Sequence, residues 1–141
     1  MILLDTNIIS EVMAPAPSRP VVEWLNHQAA VTLRISTITL AEVGYGLWVL
    51  PEGRKRRDLQ DRFDRFVAEG FEQRILTFDE SAARLYGEIM GHRRELGRPL
   101  AALDGQIAAI ARAHRLSVAT RNVRDFEECG VETVNPFEFQ G

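Results

Sequence analysis

Ile2-Leu3-Leu4-Asp5-Thr6-Asn7 is the stretch on which the fold turns: three aliphatic residues run directly into an acid, a hydroxyl and an amide. A short apolar run bounded by polar residues has the pattern of a strand buried on both faces, as in a parallel sheet. In open α/β folds the carboxyl ends of such strands form the rim at which ligands bind, and Asp5 falls at that rim. Thr6 or Asn7 then caps a helix through Ile8–Met13, because both side chains accept hydrogen bonds from free backbone N–H groups. Taken alone, Asp5 reads as well as a helper in that cap as it does as a functional acid. What separates the two is whether other acids arrive at the same rim.

Outward from this strand the chain alternates short apolar runs with helical periodicity. Pro15, Pro17 and Pro20 break the first helix, and Ser18 is placed to cap a second helix carrying Val21, Val22, Trp24 and Leu25. Residues 31–35 alternate as a second strand. Ser36 or Thr37 opens a helix over 38–50, with Leu40, Val43, Leu47 and Leu50 at helical spacing and Glu42 in its first turns. Pro51 and Gly53 close it. A basic helix over 54–69 carries Leu59, Phe63, Phe66 and Val67 as its apolar stripe. Ile75-Leu76 is a brief strand, and Asp79 caps a long helix that ends at Gly97 and Pro99. An alanine-rich helix over 103–114 has Asp104 in its first turn. Residues 116–119 form another short strand, which runs into the polar rim Thr120-Arg121-Asn122-Val123-Arg124-Asp125-Phe126, and residues 131–134 make a last edge strand. This alternation predicts an α/β sandwich with a mostly parallel central sheet and one domain over 1–141.

Composition narrows the class. Of the 141 residues, 45% are hydrophobic and 26% charged, ordinary for a globular chain that buries a core. A single cysteine, Cys129, excludes an internal disulfide framework and a thiolate zinc cluster, and suits a reducing cytoplasm. No run approaches the roughly 18 apolar residues of a membrane span, and the start lacks the basic segment of an export signal, so no membrane association is expected. A net charge of −3 speaks against nonspecific coating of nucleic acid and requires any nucleic-acid enzyme to gather its basic residues locally.

Four acids fall where a strand or loop meets a helix: Asp5, Glu42, Asp104 and Asp125. Acids in a first helical turn gain about 0.3–1 kcal/mol from the macrodipole and need no function to be there. Glu42 and Asp104, however, lie in helices rich in apolar and small residues, where an inward acid is costly unless a cation meets it. Three carboxylates within about 5 Å repel by about 3 kcal/mol per pair at an effective dielectric near 20, a cost relieved by protonation or by a bound cation. Oxygen-only ligation selects a hard ion, Mg²⁺ or Mn²⁺ over zinc. His27, His92 and His114 show no metal spacing and read as solvated helix residues.

The motifs carry a resemblance. LLDTN at the start, Ser36-Thr37-Ile38-Thr39-Leu40-Ala41-Glu42 (S-x-I-T-x-x-E), Leu103 to Ala109 (L-D-G-x-I-A-A) and Thr120 to Phe126 (T-R-N-x-x-D-F) occur in an order and at separations that resemble the PIN-domain ribonucleases. Within them the set is most similar to the VapC toxins of bacterial toxin–antitoxin pairs, in the FitB-like branch. The resemblance spans nearly the whole chain. It implies a PIN-like three-layer α/β/α sandwich and a Mg²⁺- or Mn²⁺-dependent endoribonuclease whose metal site is Asp5, Glu42 and Asp104. Thr6 or Asn7 would orient that site and Thr120 would hold its network. The family's fourth acidic place falls on Asn122, with Asp125 three residues later, and both take supporting catalytic roles. An amide ligates a cation but adds no charge.

The implied chemistry is hydrolysis by metal-activated water, with Glu42 holding or deprotonating the water and a 5′-phosphate product. Arg121 and Arg124 share a loop with the site and are the candidate phosphate contacts. Arg54–Arg57 with Arg62 and Arg65, and Arg93, Arg94 and Arg98, are further candidates. The resemblance also implies a homodimer and a VapB-like antitoxin, whose amphipathic tail would cross the early helices and set a basic side chain among the acids. Trp24, Tyr45, Trp48 and Phe71 fit either core or interface. Two other readings compete. One is an aspartyl-phosphate-type phosphohydrolase with Asp5 as nucleophile, although that mechanism wants an acid where Asn7 stands. The other is a non-catalytic interaction module that keeps the fold.

Overall fold

Leu3 and Leu4 point to opposite faces of a sheet, and each face carries its own core. The computed structural model describes residues 1–141. Its strands are β1 (Ile2–Leu4), β2 (Leu33–Ser36), β3 (Ile75–Leu76), β4 (Ser117–Ala119) and β5 (Thr133–Val134). They form one sheet in the order β3-β2-β1-β4-β5, with every neighbouring pair parallel. Six helices cover it: α1 (Thr6–Met13), α2 (Arg19–Asn26), α3 (Thr37–Trp48), α4 (Arg54–Gly70), α5 (Glu80–Glu95) and α6 (Ala102–Ala113). Leu3 and Val118 pack with Ile89 of α5 and Ile107 and Ile110 of α6. Leu4, Ile35 and Ala119 pack with Ile8, Val21, Trp24, Val43 and Phe63 of α1–α4. The expected α/β/α sandwich is therefore present, and its sheet is wholly parallel. Both edge strands have two residues, too short to template another chain.

The strand order fixes where a site can form. The chain steps from β1 outward to β2 and β3, then returns to the other side of β1 for β4 and β5. The order reverses between β1 and β4, and the crevice beyond their carboxyl ends is the natural ligand position in such a sheet. Asp5 follows β1 and Thr120 follows β4. The Asp5 N–H donates to the Ala119 carbonyl at 2.9 Å, which carries the ladder one residue past the strand and pins Asp5 at the rim.

Several local expectations shift. Helix α1 starts at Thr6 and is capped by Asp5, whose Oδ1 accepts from the Thr6 N–H at 2.8 Å. The Thr6 and Asn7 side chains, expected as caps, are turned to other partners described below. Ser18 precedes α2 without capping it; its own N–H donates to Glu11 Oε2 at 2.8 Å. Strand β2 begins at Leu33, because Ala30–Thr32 is a 3-10 turn closed by the Thr32 hydroxyl and N–H on the Ala29 carbonyl. Ser36 and Asp79 do cap α3 and α5, accepting from the Thr39 and Ala82 N–H groups. Trp24 and Phe71 are core, whereas Tyr45 and Trp48 are 71% and 72% exposed.

Candidate active site

Beyond the β1 and β4 ends lies a cleft of about 430 Å³ lined chiefly by polar side chains, among them Asp5, Glu42 and Asp104. Asp5 is the most deeply set of the three, 5% exposed. Its Oδ2 accepts from the Thr120 hydroxyl at 2.8 Å and from the Asn7 amide at 3.3 Å, and its Oδ1 is held by Thr6 N–H. These donors favour the ionised form, yet burial outweighs them and raises the Asp5 pKa, with the charges of Glu42 and Asp125 adding to the rise. Asn7 also bridges across the rim. Its Nδ2 reaches Thr120 Oγ1 at 3.3 Å while its Oδ1 accepts from the Arg121 N–H at 3.2 Å. The Thr120 hydroxyl accepts from the Asn122 N–H at 3.0 Å, so one side chain ties the β1 end to the β4 loop.

Glu42 reaches the cleft from α3. It stands in the second turn, past the reach of the macrodipole that could have explained an acid in the first. The Thr6 hydroxyl donates to Glu42 Oε1 at 2.7 Å and lies 3.0 Å from the Thr39 hydroxyl, which in turn sits 3.5 Å from Ser36 Oγ. Thr39 is fully buried and links the α3 cap to the acid. Sequence reasoning missed its role, although the Thr39–Glu42 spacing of three puts both on one face of a helix.

Asp104 enters from the first turn of α6, half-buried and without a hydrogen-bond donor of its own. Burial pushes its pKa up to about 6, and the charges of Asp5, Asp125 and Glu42 push in the same direction. Gly105 beside it lets α6 close on α5: a Cβ there would lie 2.4 Å from Met90 Sδ and 3.1 Å from the Tyr86 ring.

The other expected residues divide. Arg121 and Asn122 line the cleft; Asp125 lies close enough for its charge to act on Asp5 and Asp104 but does not line it. Arg124 is exposed outside the cleft, its charge bearing on Glu127. Arg93 is no phosphate contact. It is 4% exposed and donates to the carbonyls of Arg98, Asp125 and Glu127, so it staples the loop below the site. Arg98 is paired with Glu127 at 2.8 Å. Arg54, Lys55 and Arg62 rim a second, larger groove of about 670 Å³ between α1, α3 and α4, floored by Met13, Val43, Leu47, Leu50 and Leu59. That groove joins the acid cleft through Ser10 and Glu42. Ser10, Glu11 and Phe137 also line the acid cleft, and none of the three was expected there.

No three acid, histidine or cysteine side chains close on one point tightly enough to clasp an ion among themselves. Mg²⁺ binds through one or two carboxylates and keeps several waters, so acids spread around a wet cleft fit it, whereas a tetrahedral zinc cage is absent. The raised pKa values of Asp5 and Asp104 point the same way: burial raises them and the neighbouring carboxylates add to the rise, and a cation in the cleft would offset both.

Comparison with known proteins bears on this arrangement. The PIN domain family model matches residues 2–131. The chain is 41% identical over 138 residues to the VapC ribonuclease Y4jK of Sinorhizobium fredii, covering 98% of this chain and 99% of that protein. It is 41% identical over 137 residues to toxin FitB of Neisseria gonorrhoeae, covering 97% and 99%. A solved structure of FitAB bound to an IR36 DNA fragment superposes with a TM-score of 0.94 at 39% identity, covering 100% of this chain and 99% of that one.

Proposed function

The chain belongs to the PIN-domain family, and on that premise we propose that it is the ribonuclease toxin of a toxin–antitoxin pair, a single-domain enzyme that hydrolyses internal RNA phosphodiester bonds with the aid of Mg²⁺ or Mn²⁺. The observation that carries this reading is the meeting of Asp5, Glu42 and Asp104 in one cleft at the point where the strand order reverses. The relatives' names, a ribonuclease and a toxin, support it.

The residues divide the work. Asp5 and Asp104 would hold the ion, with Asn122 and Asp125 in support. When bound, the ion supplies the charge that makes a water more acidic and that polarises the scissile phosphate. Glu42, fixed by the Thr6 hydroxyl, orients the attacking water and takes its proton. Thr120 and Asn7 hold Asp5 in one rotamer and favour its ionised form against the burial that opposes it. Arg121 at the cleft mouth receives the phosphate backbone, and attack in line with the 3′-oxygen leaves a 5′-phosphate. The aspartyl-phosphate alternative wants a second acid two residues after its nucleophile, and Asn7 stands there.

The same reading assigns the apolar groove to an antitoxin. Its apolar floor suits an amphipathic segment, its basic rim suits acidic side chains on that segment, and its open end at Glu42 lets a guanidinium reach the acids. The FitAB complex supports a partner of this kind. Tyr45 and Trp48, exposed at the end of α3, support a homodimer contact.

The test is cleavage of a tRNA and ribosomal RNA mixture by partner-free protein, with Mg²⁺, with Mn²⁺ and with EDTA. Metal-dependent cuts leaving 5′-phosphate ends are expected. Equal cutting in EDTA would overturn the proposal.

A further inference from the structure

Phe137 lies beyond the residues that the family model matches, in a 3-10 turn (Pro136–Glu138) that closes the chain against the cleft mouth. The Arg121 guanidinium stacks on its ring, 4.6 Å from the centroid. Arg121 is tethered at its backbone too: its N–H donates to Asn7 Oδ1 at 3.2 Å and its carbonyl accepts from Asn135 Nδ2 at 3.5 Å. Asn135 in turn caps the turn by accepting from the Phe137 N–H at 3.0 Å. The residue is thus fixed from both sides of the rim.

Its charge is nevertheless unspent. Arg121 takes part in none of the chain's five ion pairs, and its guanidinium donates to no group. With its Cζ over the ring and none of its donors engaged, the guanidinium keeps N–H groups free to grip a phosphate with two parallel hydrogen bonds. Arg98, by contrast, is paired, and Arg124 stands off the cleft. Among the basic side chains that line the acid cleft, Arg121 is alone.

We propose that Phe137 and Arg121 together form the substrate-phosphate clamp of this enzyme, with Phe137 as the positioning residue that holds the guanidinium edge-on to an RNA phosphodiester neighbouring the acids. The C-terminal turn is then part of the active site. This rests on the ribonuclease reading and adds to it a particular contact and the residue that orients it.

The experiment uses the full chain and a labelled single-stranded RNA of mixed sequence, with binding followed in EDTA across a salt series and cleavage followed in Mg²⁺. Arg121→Gln should weaken binding about tenfold and lower the salt slope by about 0.7. Phe137→Leu should weaken binding and raise KM about threefold with kcat changed by less than a factor of two, and Phe137→Tyr should restore KM. The double variant should bind no worse than Arg121→Gln alone, because one acts through the other. Phe137→Met is measured beside Phe137→Leu so that a poorly folded variant does not decide the matter. Additive losses, or wild-type KM in both apolar variants while Arg121→Gln is weakened, would overturn the clamp and leave the ribonuclease reading standing. A wild-type chain that neither binds nor cuts RNA would remove both.

Discussion

Asp5 and Asp104 show how one chemical group takes two characters from its surroundings. Asp5 is buried and fed by three donors; Asp104 is half-buried with none, and its pKa is raised to about 6 from 3.8. The folded chain therefore binds the Asp104 proton more tightly than the unfolded chain does. Without a divalent ion, the contribution of Asp104 to stability should be greatest below pH 3.8, fall as pH rises toward about 6, and level off above it. Melting curves across that range check the slope. Asp104→Asn should flatten it, and added Mg²⁺ should restore stability at pH 7 more than at pH 4. Thr120→Val removes the hydroxyl that holds the Asp5 pKa down, so the acid limb of the pH–rate profile should move to higher pH. An unmoved limb would mean that Asp5 does not titrate in the reaction. At this scale the acids were legible in the sequence, because LLDTN, S-x-I-T-x-x-E and L-D-G each place an acid at a strand end or on a helix face. The hydroxyl of Thr39 and the ring of Phe137 were not, since their roles come from partners 33 and 16 residues away in the chain, Thr6 and Arg121.

Helices α5 and α6 deliver Asp104, and their closeness depends on Gly105. Gly105→Val should force Met90 and Tyr86 aside and cost about 2–3 kcal/mol, a fall of about 5–10 °C in Tm. Thermal unfolding reads this directly, and an unchanged Tm would mean that the Met90 and Tyr86 side chains give way without loss. Element types were readable from periodicity, and Asp79 and Ser36 marked their helices correctly. The start of α1 was misplaced because Thr6 and Asn7 are good caps that the fold uses elsewhere, on Glu42, Asp5 and Thr120. Arg93 was misjudged for a similar reason. A run of arginines does not say which one turns inward, and two of the three carbonyls that take Arg93 belong to a loop more than thirty residues on. The stripe expected for α3 is likewise only partly core: Val43 and Leu47, with Leu50 beyond the helix end at Trp48, line the groove that adjoins the acids.

At the scale of the molecule, the reversal of strand order gathers side chains from β1, α3, α6 and the β4 loop at one rim, and the two openings meet at Glu42. Like charges held together there cost stability, as expected of a site kept for chemistry. The central claim is that this acid cleft cuts RNA. Its most direct test sets the stability and the metal-dependent RNA cleavage of Asp104→Asn side by side with those of the wild type. The account predicts that at pH 7 and without metal the variant melts a few degrees higher than the wild type, because a half-buried charge that its neighbours also repel is gone, while cleavage falls at least about a hundredfold. A variant that cuts RNA at the wild-type rate would contradict it.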